Sequence, residues 1–150
     1  MENMWDDRAE ARAQVLALLP QSAVVKIADE EIEPVFGTTD PATAARELRA
    51  MGVGLAVVTL GERGCFYSGP VAGEGLVPAP AVQVVDTTGA GDGFVAGLLA
   101  DLAPRFAAGV RPSELSAEAV RAACTMANRV ASRVVTKMGA TAALPRLADL

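Results

Sequence analysis

The residues best suited to chemistry gather in one stretch, residues 84–99, which reads VVDTTGAGDGFVAGLL. An extended run ends at Val85 and a Thr/Gly loop follows. A helix then starts at or near Gly91, with Phe94, Val95, Leu98 and Leu99 on its inner face. Gly89, Ala90 and Gly91 carry almost no side chain, so a ligand can come close to their backbone N–H groups. Those amides stand at a helix N-terminus, where unpaired donors and the helix dipole favour negative charge. Asp92 falls in the first turn beside this anion site. A carboxylate there would repel an anion, but it makes chemical sense as a base that takes the proton from an attacking hydroxyl. The structural alternative is a glycine-rich turn between strand and helix, with Asp92 as a stabilising first-turn acid. An isolated GAGD fits that alternative, whereas the string as a whole fits the catalytic reading.

Other chemistries are excluded by what the chain lacks. There is no histidine, which removes Ser-His-Asp triads, Cys-His dyads and histidine metal sites together. No GxxxxGK[ST] motif occurs, so a phosphate cradle here is not a P-loop. The net charge of −5 argues against a nucleic-acid footprint. No apolar run is long enough to span a bilayer, and the acidic opening ENMWDD is not a secretory signal. Cys65 and Cys124 stand in no metal or redox spacing and nothing basic adjoins them. They read as buried thiols in a reducing compartment, most simply the cytoplasm.

The elements that must position residues 84–99 alternate in type. Asp6 or Asp7 can cap a helix over 8–19, and residues 22–27 (SAVVKI) form a strand. Asp29 caps a short acidic helix that stops at Gly37, and Asp40-Pro41 starts another that stops at Gly52. Residues 55–60 (LAVVTL) are nearly all apolar, as in a strand covered on both faces. A turn at 61–64, a strand at 65–68, a Gly/Pro-rich loop and an extended piece at 82–85 follow. Helices are predicted over 93–102 and roughly 116–136, and the tail from Gly139 begins as a loop. With 150 residues, 51% of them hydrophobic, the chain suits one domain with a real core. The alternation predicts an α/β layered fold with a largely parallel sheet, decorated by a hairpin around GERGCFYS.

The string DTTGAGDGFVAGLL (residues 86–99) resembles the C-terminal signature of the ribokinase-like, PfkB-type carbohydrate kinases, in fructokinase-like form. The resemblance continues in order along the chain. VVTLGERG (57–64) is similar to the family's strand-turn segment beside the ATP phosphates and ribose. VKIADEE (25–31) is similar to its strand-to-helix junction, whose last Glu organises magnesium waters. Met126-Ala127-Asn128 looks like the helix bordering the adenine, and GATAALP (139–145) like the closing loop near the base and a monovalent cation.

This resemblance implies a ribokinase-like layered α/β/α fold and ATP-dependent phosphorylation of a sugar hydroxyl. Asp92 would be the general base, the amides of Gly89, Ala90 and Gly91 the anion hole, and Mg²⁺ the bridge between phosphates. Thr59, Gly61, Gly64, Asn128 and Gly139 would contact the nucleotide. Glu31 would serve the magnesium, and Asp86 with Thr88 a potassium-type site. Local structural readings stand beside these. Thr59 and Gly61 suit a strand end and a turn, Glu31 a solvated helix face, and Asn128 a core hydrogen-bonding residue. Lys26 reads as a strand-end surface lysine, and Trp5 as a packing residue.

Two departures from the family pattern matter. Ala28 stands where members often carry Asn, which weakens the expected metal-water network. Full-length members are also roughly twice as long, so residues 1–150 correspond to the C-terminal, nucleotide-binding half. The first strands, most sugar-binding residues and the lid have no counterpart here. Little or no sugar kinase activity is therefore expected of this chain alone, because positioning supplies much of the rate in such chemistry. A kinase for ribose, 2-keto-3-deoxygluconate or a nucleoside remains an alternative. So does a silent nucleotide-binding module, with a homodimer or a complementing chain as its assembly.

Overall fold

The computed structural model describes residues 7–146. Trp5, Asp6 and the last four residues, on which sequence expectations also fell, lie outside them. Helix α1 spans Arg8–Leu18, strand β1 Val24–Ala28, α2 Asp29–Phe36 and α3 Pro41–Ala50. Strands β2 (Leu55–Thr59), β3 (Cys65–Gly69) and β4 (Gly73–Val77) follow, then α4 (Ala90–Ala107) and α5 (Ala117–Val134). Asp7 caps α1 by accepting the Ala9 N–H at 2.7 Å. Asp40 caps α3 through the Thr43 N–H and hydroxyl, bonds that hold its carboxyl below the usual range.

The four strands lie in the order β1-β2-β3-β4. Only β1 and β2 are parallel, whereas β2/β3 and β3/β4 are antiparallel. This corrects the expectation of a largely parallel sheet. The β1–β2 crossover has two helices in which to reverse direction, but β2–β3 and β3–β4 are joined by a few residues, which can only turn the chain back. Strand β4 forms where a Gly/Pro loop is expected. Its Gly75 faces Tyr67 in register, and a Cβ on Gly75 would lie 2.8 Å from the Tyr67 hydroxyl, so the tyrosine covers the strand. The piece at 82–85 does not join the sheet. It runs past the end of α5, where the Val85 and Asp86 N–H groups both donate to Val135 O at 2.8 and 3.3 Å.

Strand β2 shows why residues 55–60 are apolar throughout. Leu55 and Val57 face a core built with Phe94, Leu98 and Leu102 of α4 and Val120, Ala123 and Ala127 of α5. Ala56 and Val58 face a second core with Ile32, Ala44, Ala45 and Leu48 of α2 and α3. The result is an α/β/α sandwich. Helix α4 lies directly on α5, since a Cβ on Gly97 would meet Ala127 Cα at 2.8 Å and one on Gly93 would meet Val134 Cγ2 at 2.8 Å. That packing fixes where the start of α4 sits, and with it the stretch singled out above. Among the described residues, no helix is long and apolar enough to cross a membrane.

Candidate functional site

A cleft of about 770 Å³ opens at the C-terminal ends of β1 and β2, the edge at which open α/β sheets take ligands. One wall is the turn at Gly61–Arg63 with Gly64, and a second is the irregular segment 79–84. The start of α4 closes one end through Thr87, Ala90 and Gly91. Asn128, Ala131 and Ser132 of α5, with Val135 just after its last residue, form the floor.

The turn is held tightly. Leu60 N–H donates to Gly64 O at 2.8 Å, and Gly64 N–H to Gly61 O at 3.1 Å. Gly64 itself presses on the end of β4, where a Cβ would come within 2.0 Å of Val77 O. The Arg63 guanidinium reaches Asp29 Oδ2 at 3.0 Å, tying the turn to α2. Both partners are substantially exposed, so solvent screens the pair and it contributes little to stability.

The start of α4 is equally constrained. Gly89 takes a left-handed conformation (φ 80°) against the 139–141 loop, and a Cβ there would approach Ala140 Cβ to 2.7 Å. Ala90 N–H donates to Thr87 O and Gly93 N–H to Gly89 O. Among the described residues no acceptor takes the Gly91 or Asp92 amide, as expected for a helix's first turn. Lys26 completes this end. It is half-buried, and its Nζ lies 3.3 Å from the point a Cβ on Gly91 would occupy. The reading of Lys26 as a surface lysine is therefore corrected: an ammonium and a helix N-terminus converge on the same few ångströms. The available signal was its place near the C-terminal end of a parallel strand.

Thr59, Gly61, Gly64, Ala90, Gly91 and Asn128 are thus brought together at the cleft, while Glu31, Asp86, Thr88, Gly89, Asp92 and Gly139 are not on its wall. Asp92 is exposed in the first turn of α4. Glu31 Oε2 accepts the Ala28 N–H at 3.0 Å, capping α2, while Asp29 and Glu30 of the same turn line the cleft. Sequence reasoning passed over Arg63, Ser132 and the 79–84 wall, which carry no motif of their own. Cys65 and Cys124 are both fully buried. A hydrogen bond with Cys65 and burial push the Cys124 thiol up, which keeps it protonated and unreactive.

Asp86 acts as a clasp behind the α4 start. Its Oδ1 accepts the Thr88 N–H at 2.9 Å and its Oδ2 the Gly139 N–H at 2.8 Å. The Gly139 amide, then Thr88, hold the carboxyl below its ordinary value. A depressed folded-state value means that the contribution to stability is complete above the unfolded value of about 3.9 and is lost as pH falls through the folded value. Asp86→Asn is therefore expected to be less stable than wild type at neutral pH. The gap should close on acidification between roughly pH 5 and pH 2, as read from denaturant midpoints at each pH. A gap independent of pH would show that the clasp does not depend on the charge.

The match to known proteins covers this whole arrangement. A family model described as pfkB family carbohydrate kinase matches residues 1–147. A fructokinase of Vibrio alginolyticus is 32% identical over 149 residues, covering 99% of this chain and 46% of the relative. A fructokinase of Zea mays is 33% identical over 150 residues, covering 99% and 45%. Among solved structures, the fructokinase of Vibrio cholerae O395, with fructose, ADP and calcium bound, superposes with a TM-score of 0.81 at 31% identity, over 98% of this chain and 46% of that one. The aminoimidazole riboside kinase of Salmonella enterica, with its riboside and an ATP analogue, gives 0.82 at 30%, over 97% and 46%. The chain spans about half the length of these relatives. A match that runs through every element bordering the cleft leaves one assignment: the chain belongs to the pfkB family of carbohydrate kinases.

Proposed function

We propose that the cleft holds ATP or ADP, and that the chain is the nucleotide-binding half of a fructokinase-like sugar kinase. One observation carries the reading: the Gly91 amide, which no described acceptor takes, and the Lys26 ammonium meet at one end of a cleft whose far wall is small and largely apolar. Phosphates suit the first end and a base the other. The bound ADP and ATP analogue of the Vibrio and Salmonella relatives support the same reading.

In the transfer itself, the sugar hydroxyl attacks the terminal phosphorus as the bridging P–O bond breaks. ADP leaves with the electron pair, and the hydroxyl proton passes to Asp92. Asp92 stands on the solvent side of the α4 start, away from the cleft wall, so the acceptor would approach from that open side. The amides and Lys26 stabilise charge on the transferring group.

Among the described residues, no group of three or more acidic or thiol side chains converges as a metal cage. The Asp29 and Glu30 carboxylates at the cleft suit Mg²⁺ arriving with the nucleotide, which needs only one or two protein carboxylates besides phosphates and waters. Such an ion would neutralise phosphate charge. Asp86 with Thr88 is the place for K⁺ in the same reading.

A second reading is a nucleotide-binding module without turnover, completed by another chain or a second copy. The exposure of Asp92 and the half-length span favour it for this chain in isolation. Calorimetry with ADP and Mg²⁺, followed by steady-state assay with fructose and ATP, separates the two. Binding without turnover is the expected result. Robust turnover abolished by Asp92→Ala would establish the chain as a kinase on its own, and absence of nucleotide binding would overturn both readings. Turnover on ribose, 2-keto-3-deoxygluconate or a nucleoside instead of fructose would move the acceptor and leave the rest standing.

A further inference from the structure

We propose that Lys26 is a site of covalent acylation by acyl phosphates, the mixed anhydrides of a carboxylic and a phosphoric acid, and that its acylation shuts the cleft to nucleotide. The second half of this inference rests on the nucleotide reading above, and the first stands without it.

Apart from the N-terminal amine, the only amines in the chain are those of Lys26 and Lys137. Every other basic side chain is an arginine, whose guanidinium stays charged and is no nucleophile. The two lysines stand in different settings. Lys137 is exposed just beyond α5. Lys26 is half-buried and lines the cleft, with its Nζ 3.3 Å from the place a Cβ on Gly91 would take. Among the described residues, no hydrogen bond or ion pair engages that nitrogen. Of the carboxylates lining the same cleft, Asp29 is held by Arg63 at 3.0 Å and Glu30 is exposed. Lys26 thus brings an untethered amine to the cleft.

Beside that amine lies the Gly91 amide, which no described acceptor takes, at the start of the 18-residue helix α4. A phosphate fits against such a helix start. An acyl phosphate carries a phosphate joined directly to an electrophilic carbonyl carbon. Seating the phosphate at Gly91 therefore brings the carbon to Nζ, and holding the two reactants together speeds their reaction. The ammonium first loses a proton to water, and the neutral amine attacks the acyl carbon. The C–N bond forms as the C–O bond to phosphate breaks. Phosphate leaves with the electron pair and takes up the second amine proton. The resulting amide is neutral and bulkier than the ammonium. A nucleotide phosphate then loses a cation, and the space beside Gly91 is filled.

The test incubates the whole chain with acetyl phosphate and follows acetylation at each lysine by peptide mass spectrometry. A second series uses N-hydroxysuccinimidyl acetate, which delivers the same acetyl group without a phosphate. With acetyl phosphate, Lys26 is expected to react about tenfold faster than the exposed Lys137. With the ester, Lys137 should react at least as fast as Lys26. Inorganic phosphate should slow the acetyl phosphate reaction at Lys26 alone. Comparable rates at the two lysines with acetyl phosphate, or the same ratio with both reagents, would overturn the site. Saturating ADP with Mg²⁺ should protect Lys26 and not Lys137. The acetylated chain should bind ADP about 10- to 100-fold more weakly by calorimetry. ADP that binds without protecting Lys26, or an affinity unchanged by acetylation, would overturn the claim that the modification shuts the cleft. If ADP does not bind at all while Lys26 keeps its preference, the nucleotide reading falls and the acylation site remains.

Discussion

Gly64→Ala is expected to abolish the cooperative thermal transition of this chain, at a cost of about 4 kcal/mol or more. Two independent effects combine. Gly64 sits at φ 96°, ψ −129°, a backbone region close to glycine-only territory. A Cβ there would also lie 2.0 Å from Val77 O, 2.7 Å from Ala79 N and 2.8 Å from the Pro78 carbonyl carbon. Every one of those atoms is backbone, so no side chain can swing aside, and relief requires parting β3 from the end of β4. Small domains hold only about 5–15 kcal/mol in total, so a loss of this size consumes much of it. Gly61→Ala, three residues earlier, is the internal control. It too has positive φ (57°), but a Cβ there meets nothing within 4 Å, so only the conformational cost of about 1–2 kcal/mol applies. Equal melting temperatures for the two variants would show that the close approach at Gly64 does not exist. Because Ala79 and Pro80 belong to the cleft wall beside that contact, any folded remnant of Gly64→Ala should also bind nucleotide poorly.

Lys26→Met should weaken ADP binding about 10- to 100-fold while leaving the fold intact. A hydrogen bond to a charged group contributes about 1.5–3 kcal/mol, and a phosphate at the α4 start would meet the ammonium there. Methionine keeps an unbranched apolar stem and removes the charge. The loss should shrink at high salt, where a charge contact counts for less. Arg63→Ala is the contrasting case: its guanidinium is engaged by Asp29 and largely solvated, so the change should be small. Titration calorimetry of both variants at two ionic strengths checks the pair. Affinity for Lys26→Met within twofold of wild type would mean that the phosphates do not lie where Gly91 and Lys26 meet.

The parts of the site that were legible in the sequence share one property: each is fixed by neighbours along the chain. The bend at Gly89 needs φ 80°, which glycine adopts without strain, and the residues after it start a helix whose first amides have no acceptor. The caps at Asp7 and Asp40 act over two and three residues. The all-apolar β2 follows from having helices on both faces.

What escaped the sequence depends on partners far away in the chain. Gly73 and Gly75 look like loop residues until Tyr67 is seen lying over Gly75. Asn128 looks like one polar residue in an alanine-rich helix until Cys65, Val77 and Pro78, some fifty or more positions earlier, surround its NH₂. Lys26 looks like a surface lysine until α4, sixty-odd residues later, brings Gly91 to it.

By itself, then, the order of residues determined the layered α/β class, the glycine-rich helix start and membership of a kinase family. These are written in short-range stereochemistry and in one contiguous string. Only the tertiary structure decided that two of three strand pairings are antiparallel, that a lysine comes up to the start of α4, and which way the Asn128 amide faces. Those outcomes turn on loop lengths and on groups meeting across the fold, where close packing leaves one arrangement and sequence spacing carries no trace of it.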